Sequence, residues 1–228
     1  MVPRTIAATR NVKVAALHDH DQLTSLVERA CLIARDAVFN AKDLVHNSSR
    51  MAYLAVRDCE KELDQIEREI DERIAGAITR VGEAKARQLL ACLKFITDLE
   101  RIGDLIRGAA HRVHGRRERL SKADSQQLIE MLSVLCEMLE QVHRGFTRRD
   151  IECARHVLKI DSQVDQICHV LFQRHLATKS PDSQVFEVLL IAQAFERAGD
   201  HAKNLAEELV SLSEGRSVRH GSKRPSGS

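Results

Sequence analysis

The sequence predicts an all-α protein made of two pseudo-symmetric antiparallel three-helix bundles. The 228 residues include only 10 glycines and 3 prolines, so long spans contain nothing that interrupts a helix. Apolar residues recur at helical spacing through these spans, and the stripe that contains Leu99 returns around Phe195, 96 residues later. Hydrophobic residues make up 43% of the chain, which is enough for a substantial core.

Six helices are expected from this periodicity, and the last three repeat the first three. They cover about residues 18–46, 50–79, 83–114, 122–147, 149–177 and 183–213. The LDQI of residues 63–66 returns as VDQI at 164–167, which indicates a duplicated unit. Ser180 before Pro181 is typical of a helix start, because serine caps the helix and proline suits its first turn. Short connections favour antiparallel neighbours.

The expected organisation is two bundles between two short terminal segments. Residues 1–17 are an N-terminal extension, 18–116 the first bundle, 117–214 the second bundle and 215–228 a basic tail. The tail has linker composition and is expected to lack regular structure. Each bundle is expected to bury its apolar stripes within itself.

Composition excludes several functions. The 35 basic and 33 acidic side chains give a net charge of +2, which is not the charge pattern of a nucleic-acid-binding protein. The six cysteines form no CxxC motif and are expected to be buried free thiols in a reducing compartment. No apolar run approaches the roughly 20 residues of a membrane span, and the N-terminus lacks the apolar core of a signal peptide. A cytoplasmic protein is expected.

Two acidic motifs stand out on the third and sixth helices. The stretch LERIGD at 99–104 returns as FERAGD at 195–200. In each, a Glu and an Asp four residues apart lie on one side of the helix, facing away from the apolar stripe. Asn204 continues the second line by one more turn, where Gly108 stands in the first.

The second and fifth helices carry matching acids. In an antiparallel hairpin, residues equidistant from the turn lie at the same height. Glu60 with Asp104, and Asp64 with Glu100, are both centred on Gly82 in a predicted turn. The second hairpin repeats this match around residues 180–181 with Asp161, Asp165, Glu196 and Asp200. Each bundle is therefore expected to gather four carboxylates at one level.

Such crowding is unfavourable unless a cation offsets it. Like charges four residues apart destabilise a helix by a few tenths of a kcal/mol. A helical glycine such as Gly103 or Gly199 costs about 1 kcal/mol relative to alanine, and here it would let a neighbouring helix or a ligand approach. All-oxygen ligation suits Mg²⁺, Mn²⁺ or Ca²⁺, and iron is compatible. Without metal, the carboxyl pKa values should be raised.

The predicted metal ligands are the carboxylates of both hairpins and one amide. They are Glu60, Asp64, Glu100, Asp104, Asp161, Asp165, Glu196, Asp200 and Asn204. In the alternative interpretation these residues form a solvated acidic face, which Arg101 and Arg197 partly neutralise.

These features resemble the PhoU family of phosphate-uptake regulators. LERIGD, FERAGDHAKN, the duplicated three-helix pattern and the closing SVRH carry the resemblance over about residues 18–220. The resemblance implies a cytoplasmic homodimer with metal clusters, of iron, Mn, Mg or Zn, held by the motifs named above. It implies a regulator of phosphate uptake and phosphate homeostasis that contacts a phosphate ABC transporter and its sensor histidine kinase, and meets the membrane only through these partners.

Three alternatives to this function are weighed. A relative of the family serves as accessory protein of a low-affinity phosphate permease, and a metal-free helical scaffold would need no ions. A metal-dependent hydrolase would use the clusters to activate water. The chain lacks the Glu-x-x-His pairs of di-iron bundles, a GxxxxGK[ST] loop and a GxSxG motif. We therefore expect no enzyme, no catalytic residue and no organic cofactor.

Overall fold

Six helices make up nearly all of the computed structural model, which describes residues 4–116, 118–177 and 183–214. They are α1 (Arg4–Asn47), α2 (Arg50–Ile78), α3 (Glu83–Gly115), α4 (Lys122–Arg148), α5 (Ile151–Leu176) and α6 (Ser183–Glu214). The predicted all-α fold of two three-helix bundles is confirmed. The predicted helix start at Ser180-Pro181 and the tail at 215–228 lie outside the described residues.

The first helix is longer than predicted. It begins at Arg4 instead of about residue 18, so most of the expected N-terminal extension is helical. No glycine or proline occurs between Arg4 and Asn47, so nothing in the sequence stops the helix upstream of the part that packs in the core. Apolar periodicity marks only that packed part, which starts near the buried Leu23.

Side-chain caps set the starts of three helices. Ser49, Ser121 and Asp150 precede α2, α4 and α5, and their oxygens accept hydrogen bonds from backbone N–H groups of the first turn. Arg149 adopts a left-handed conformation with φ of 54°, which ends α4. As a result α5 begins at Ile151, two residues after the predicted start at residue 149.

The two bundles are joined along two seams. Within each bundle all three helices pack on one another, and between bundles α1 packs on α4 while α3 packs on α6. The buried apolar side chains form one continuous cluster, and the rings of Phe95 and Phe146 lie 4.7 Å apart across the two halves. The expectation that each bundle buries its own stripes separately is therefore wrong, because these four helices contribute to a shared core.

Two further features concern the state of the cysteines and the polarity of the helices. All six cysteines are free thiols, as expected, but Cys59 and Cys136 are only half-buried, because they lie at the edge of the apolar cluster. Among the described residues, no helix is both long and apolar enough to cross a lipid bilayer.

The two motif glycines differ in their packing. A Cβ added at Gly103 would lie 2.7 Å from Leu63 Cδ1 and 3.9 Å from the Cα of Glu60, so α2 and α3 approach closely there. A Cβ at Gly199 would lie 3.6 Å or more from Val164 and Leu135, which is ordinary van der Waals contact. Close helix approach therefore explains Gly103 and does not explain Gly199.

Alanine substitution at these two positions should have opposite effects. Leu63 is fully buried, so its side chain must shift within a packed core, and Gly103→Ala should lower the free energy of unfolding by about 1 kcal/mol. Overpacking destabilises by about 1–3 kcal/mol, and alanine recovers about 1 kcal/mol of helix propensity. Gly199→Ala should raise the free energy of unfolding by up to about 1 kcal/mol. Urea unfolding followed by circular dichroism measures both changes, and an equal response of the two variants would contradict the difference in packing.

Candidate functional site

The first acidic cluster lies in the groove between α2 and α3. Arg107 reaches across this groove, with Nε 3.0 Å from Glu60 Oε1 and Nη2 3.3 Å from Asp104 Oδ1. Glu60 and Asp104 thus share one guanidinium group and lie at the same level of the hairpin, as the register predicts. Asp64, one turn further along α2, pairs with Arg68 of the same helix.

Glu100 is the most buried carboxylate of this cluster, with its side chain 16% exposed. Desolvation, together with the negative charges of Asp104 and Glu67, raises the pKa of Glu100 to about 7. Arg101 lies 3.6 Å from Glu100 and only partly offsets this effect. Glu67 is not among the predicted ligands, yet burial and the charge of Asp71 raise its pKa as well. The cluster therefore retains excess negative charge despite its arginines.

The second acidic cluster lies between α5 and α6 and repeats one feature of the first. The buried Asp161 accepts a hydrogen bond from Lys203 Nζ at 2.5 Å. This hydrogen bond raises the pKa of Lys203. Asp161 corresponds to Glu60 in the repeat, and Lys203 corresponds to Arg107. Each acidic cluster thus contains a cross-helix ion pair at the same position of the repeat.

The remaining groups of the second cluster repel one another. Burial and the charges of Asp161 and Asp200 raise the pKa of Asp165. Burial and the charges of Asp165 and Asp200 raise the pKa of Glu196. Cys168 stands where Glu67 stands in the first half, and burial beside Glu196 and Asp165 raises its pKa to about 11. Its thiol is neutral near pH 7, so this cluster carries one acidic group fewer.

Asn204 does not join the acidic cluster in this structure. Its Nδ2 lies 3.4 Å from Oδ1 of Asp98 on α3, and His201 Nδ1 lies 2.8 Å from the same oxygen. A step of four residues turns a helix by about 40°. Asn204 is therefore rotated from the Asp200 side of α6 towards α3.

The other eight predicted ligands line the two grooves, and their chemistry fits a hard cation. Carboxylate oxygens suit such ions, and burial, followed by the negative charge of neighbouring carboxylates, raises the pKa values of Glu100, Asp165 and Glu196. Among the residues that the structure describes, however, no three His, Cys, Asp or Glu side chains are placed to hold a metal. Arg107 and Lys203 pair with Glu60 and Asp161 instead, so a metal would require these two side chains to turn away.

Arg107 and Lys203 are the functional candidates that motif analysis missed. Neither lies within the ExxxD pattern. The repeat itself could have identified them, because they occupy matching positions 96 residues apart, each seven residues after the motif Glu.

The pH dependence of stability should report the burial of Glu100. The pKa of Glu100 is higher in the folded chain than its unfolded value of about 4.3, so the folded state binds this proton more tightly. The resulting contribution to stability is complete below about pH 4.3 and is lost as the pH rises through about 7. In chelator-treated protein, Glu100→Gln should reduce the fall in melting temperature between about pH 5 and pH 8 and should raise the melting temperature at pH 8.

The matched control is Asp58→Asn, since Asp58 is 75% exposed on α2. This variant should keep the wild-type pH dependence. If Glu100→Gln also keeps it, Glu100 does not titrate in the predicted range.

The chain was compared with known proteins and solved structures. The model of the PhoU domain matches residues 27–113 and 128–209. The phosphate-specific transport system accessory protein PhoU homolog 1 of Thermotoga maritima is 25% identical over 213 residues, which are 89% of this chain and 92% of the relative. A PhoU homolog of Zymomonas mobilis is 30% identical over 77% of this chain and 76% of the relative.

Two crystal structures share the fold. That of the phosphate transport system regulatory protein PhoU from Streptococcus pneumoniae has a TM-score of 0.80 at 20% identity, covering 89% of this chain and 99% of that one. That of PhoU from Pseudomonas aeruginosa has a TM-score of 0.69 at 24% identity, covering 90% and 99%. The matched segments of the family model cover most of both bundles, and the chain belongs to the PhoU domain family.

Proposed function

We propose that this protein is a cytoplasmic, non-catalytic regulator of phosphate uptake that acts as an accessory protein of a phosphate transport system. The observation that carries the proposal is the PhoU domain match across both bundles. Several relatives named as phosphate-specific transport system accessory proteins align with most of the chain. The thiol of Cys168 beside the second cluster has a pKa raised to about 11 and is neutral near pH 7, which favours a binding role over nucleophilic catalysis.

The protein would act by contact with a phosphate ABC transporter and its sensor histidine kinase. Its outer helices offer surface for such contacts, because Met51 on α2 and Leu176 on α5 are 74% and 77% exposed. We also propose a homodimer, for which Leu90 and Phe186 supply exposed apolar side chains. Sedimentation at micromolar concentration tests self-association, and a monomer throughout would contradict it.

Deleting the gene should uncouple uptake from phosphate supply. In the absence of this regulator, phosphate uptake and a phosphate-starvation reporter should stay high in phosphate-rich medium, and a plasmid copy should restore repression. Uptake should be measured with labelled phosphate in backgrounds lacking either the ABC transporter or the low-affinity permease. An effect that persists without the ABC transporter and disappears without the permease would favour the permease accessory role.

The acidic clusters would serve this function by binding cations. We propose that each groove takes up a hard divalent or trivalent cation after Arg107 or Lys203 releases its carboxylate partner. A bound cation would remove the repulsion that raises the pKa of Glu100 and Asp165. Binding would stabilise the α2–α3 and α5–α6 hairpins by mass action, which makes it structural or sensory and not catalytic.

Removing metal should therefore lower stability in a manner that depends on the clusters. At a free metal concentration of about 100 times Kd, one site adds about 2.7 kcal/mol to the free energy of unfolding. Chelator should lower the melting temperature of the wild type at neutral pH. Asp104→Asn combined with Asp200→Asn should abolish this effect, because the first substitution removes one charge from the first cluster and the second removes one charge from the second cluster.

The control is Asp58→Asn combined with Glu152→Gln, which removes two exposed charges from α2 and α5 outside the clusters. Metal content is measured by plasma mass spectrometry of protein purified without chelator. Full metal content in the cluster variant, or no effect of chelator on the wild type, would show that the clusters are only a solvated acidic face.

A further inference from the structure

A further groove lies on the seam between α3 and α6 and shares Asp104 and Arg107 with the first acidic cluster. It encloses about 390 Å³ and is lined by Arg101, Arg107 and Arg112 of α3 and by Arg197 of α6. Asp104 is the acidic side chain of its lining, and leucine and alanine side chains supply an apolar part. We call this feature the arginine groove.

The two helices of the seam run antiparallel and are related by the repeat. Lys94 near the start of α3 pairs with Glu208 near the end of α6, with Nζ 2.9 Å from Oε2. Arg112 near the end of α3 pairs with Glu187 near the start of α6, at 3.1 Å. Since each position of α3 corresponds to the position 96 residues later in α6, the two ends of the seam are counterparts.

One end of the seam is filled by polar side chains. Asp98 is 9% exposed, and its carboxylate lies within hydrogen-bond distance of His201 and Asn204. Glu208 is 6% exposed and is held by Lys94. These contacts link α3 to α6 at this end, beside a cavity of about 510 Å³ that Lys94 and Glu208 also line.

The other end has lost these groups and forms the arginine groove. The positions that correspond to Asp98, His201, Asn204 and Glu208 are Ala194, Leu105, Gly108 and Arg112. Small and apolar residues thus replace the hydrogen-bonded network and leave a cavity, and an arginine replaces the buried glutamate. This departure from the repeat changes the size of the side chains between α3 and α6 at this end, and it replaces a negative side chain with a positive one.

The arginines of the groove are incompletely neutralised. Arg107 is bound by Glu60 and Asp104, and Arg112 by Glu187. Arg101 has only longer contacts of 3.6 and 3.7 Å with acids of its own helix. Arg197 makes no ion pair of 4.0 Å or less with any residue that the structure describes. Guanidinium groups gathered in a groove attract anions, and their planar N–H pairs match phosphoryl oxygens in a bidentate manner.

We propose that the arginine groove binds a small anion that carries two or more phosphoryl groups. Arg101 and Arg112 are eleven residues apart on one helix, which is about 16 Å, so a single orthophosphate can meet only part of the set. The volume lies in the range of about 300–1,000 Å³ that is usual for small-ligand sites. The ligand is an anion, unlike the cation proposed for the acidic clusters, although Asp104 and Arg107 belong to both sites, and its binding does not depend on a transporter partner.

The test is titration calorimetry of chelator-treated protein with pyrophosphate and tripolyphosphate. Removing metal first prevents bound cations in the acidic clusters from attracting the anion. Ionic strength is held at about 0.15 M, which screens non-specific attraction. Both probes should bind saturably at one site, and orthophosphate and sulfate should bind at least tenfold more weakly, since each neutralises fewer guanidinium groups.

Two variants locate the site. Arg197→Gln should weaken pyrophosphate binding roughly tenfold, the loss expected for one charge-assisted hydrogen bond. Arg155→Gln is the matched control, because Arg155 is a 59% exposed arginine of α5 outside the groove, and it should bind as the wild type does. Gly108→Asn combined with Ala194→Asp copies the filled end of the seam and should abolish binding.

The variant that combines Gly108→Asn with Ala194→Asp should fold, because a Cβ at the exposed Gly108 meets nothing within 4 Å. An unchanged circular dichroism spectrum would verify this. The proposal is overturned if neither polyphosphate binds saturably, or if sulfate binds as tightly as pyrophosphate. It is also overturned if Arg155→Gln loses as much affinity as Arg197→Gln, or if the filled groove still binds. Binding of an acidic peptide without binding of pyrophosphate would make the groove a protein contact instead.

Discussion

The packing of α3 against α6 is the contact on which the rest of the structure depends. Ile102 and Ala198, which correspond in the repeat, are almost fully buried near the centre of this seam. The seam, with the α1–α4 contact, fuses the two bundles into one core. Because the apolar sides of α3 and α6 are committed to the core, their carboxylates face outward to α2 and α5, and their arginines flank the seam.

Charge crowding in the outer grooves is balanced differently in the two halves. Each acidic cluster has one cross-helix ion pair, through Arg107 or Lys203, and each retains carboxyl groups with raised pKa values. The first half adds Glu67, whereas the second has the neutral thiol of Cys168. A duplicated scaffold therefore presents two clusters of unequal charge, which gives the two grooves unequal attraction for cations. The same divergence along the seam distinguishes its filled end from the arginine groove.

Much of the fold could be predicted because its signals are local. Helix bounds follow from apolar periodicity and from caps such as Ser49 and Ser121, which act within a few residues of the chain. The level at which Glu60 meets Asp104 follows from a turn at Gly82 and a constant rise of 1.5 Å per residue. In this structure the carboxylates of Glu60 and Asp161 pair with Arg107 and Lys203.

The sequence by itself determined the six helices, the duplication and the acidic lines, all of which depend on spacing along one helix or across one hairpin. Only the tertiary structure decided the shared core, the orientation of Asn204 towards Asp98, the pairing of Arg107 and Lys203, and the arginine groove. The two ion pairs each lie across a hairpin and can be recognised in the sequence only through the repeat. The other features arise where helices about 100 residues apart in the chain meet. Periodicity shows that a helix has a second apolar or charged side, but the partner of that side is selected by packing between bundles.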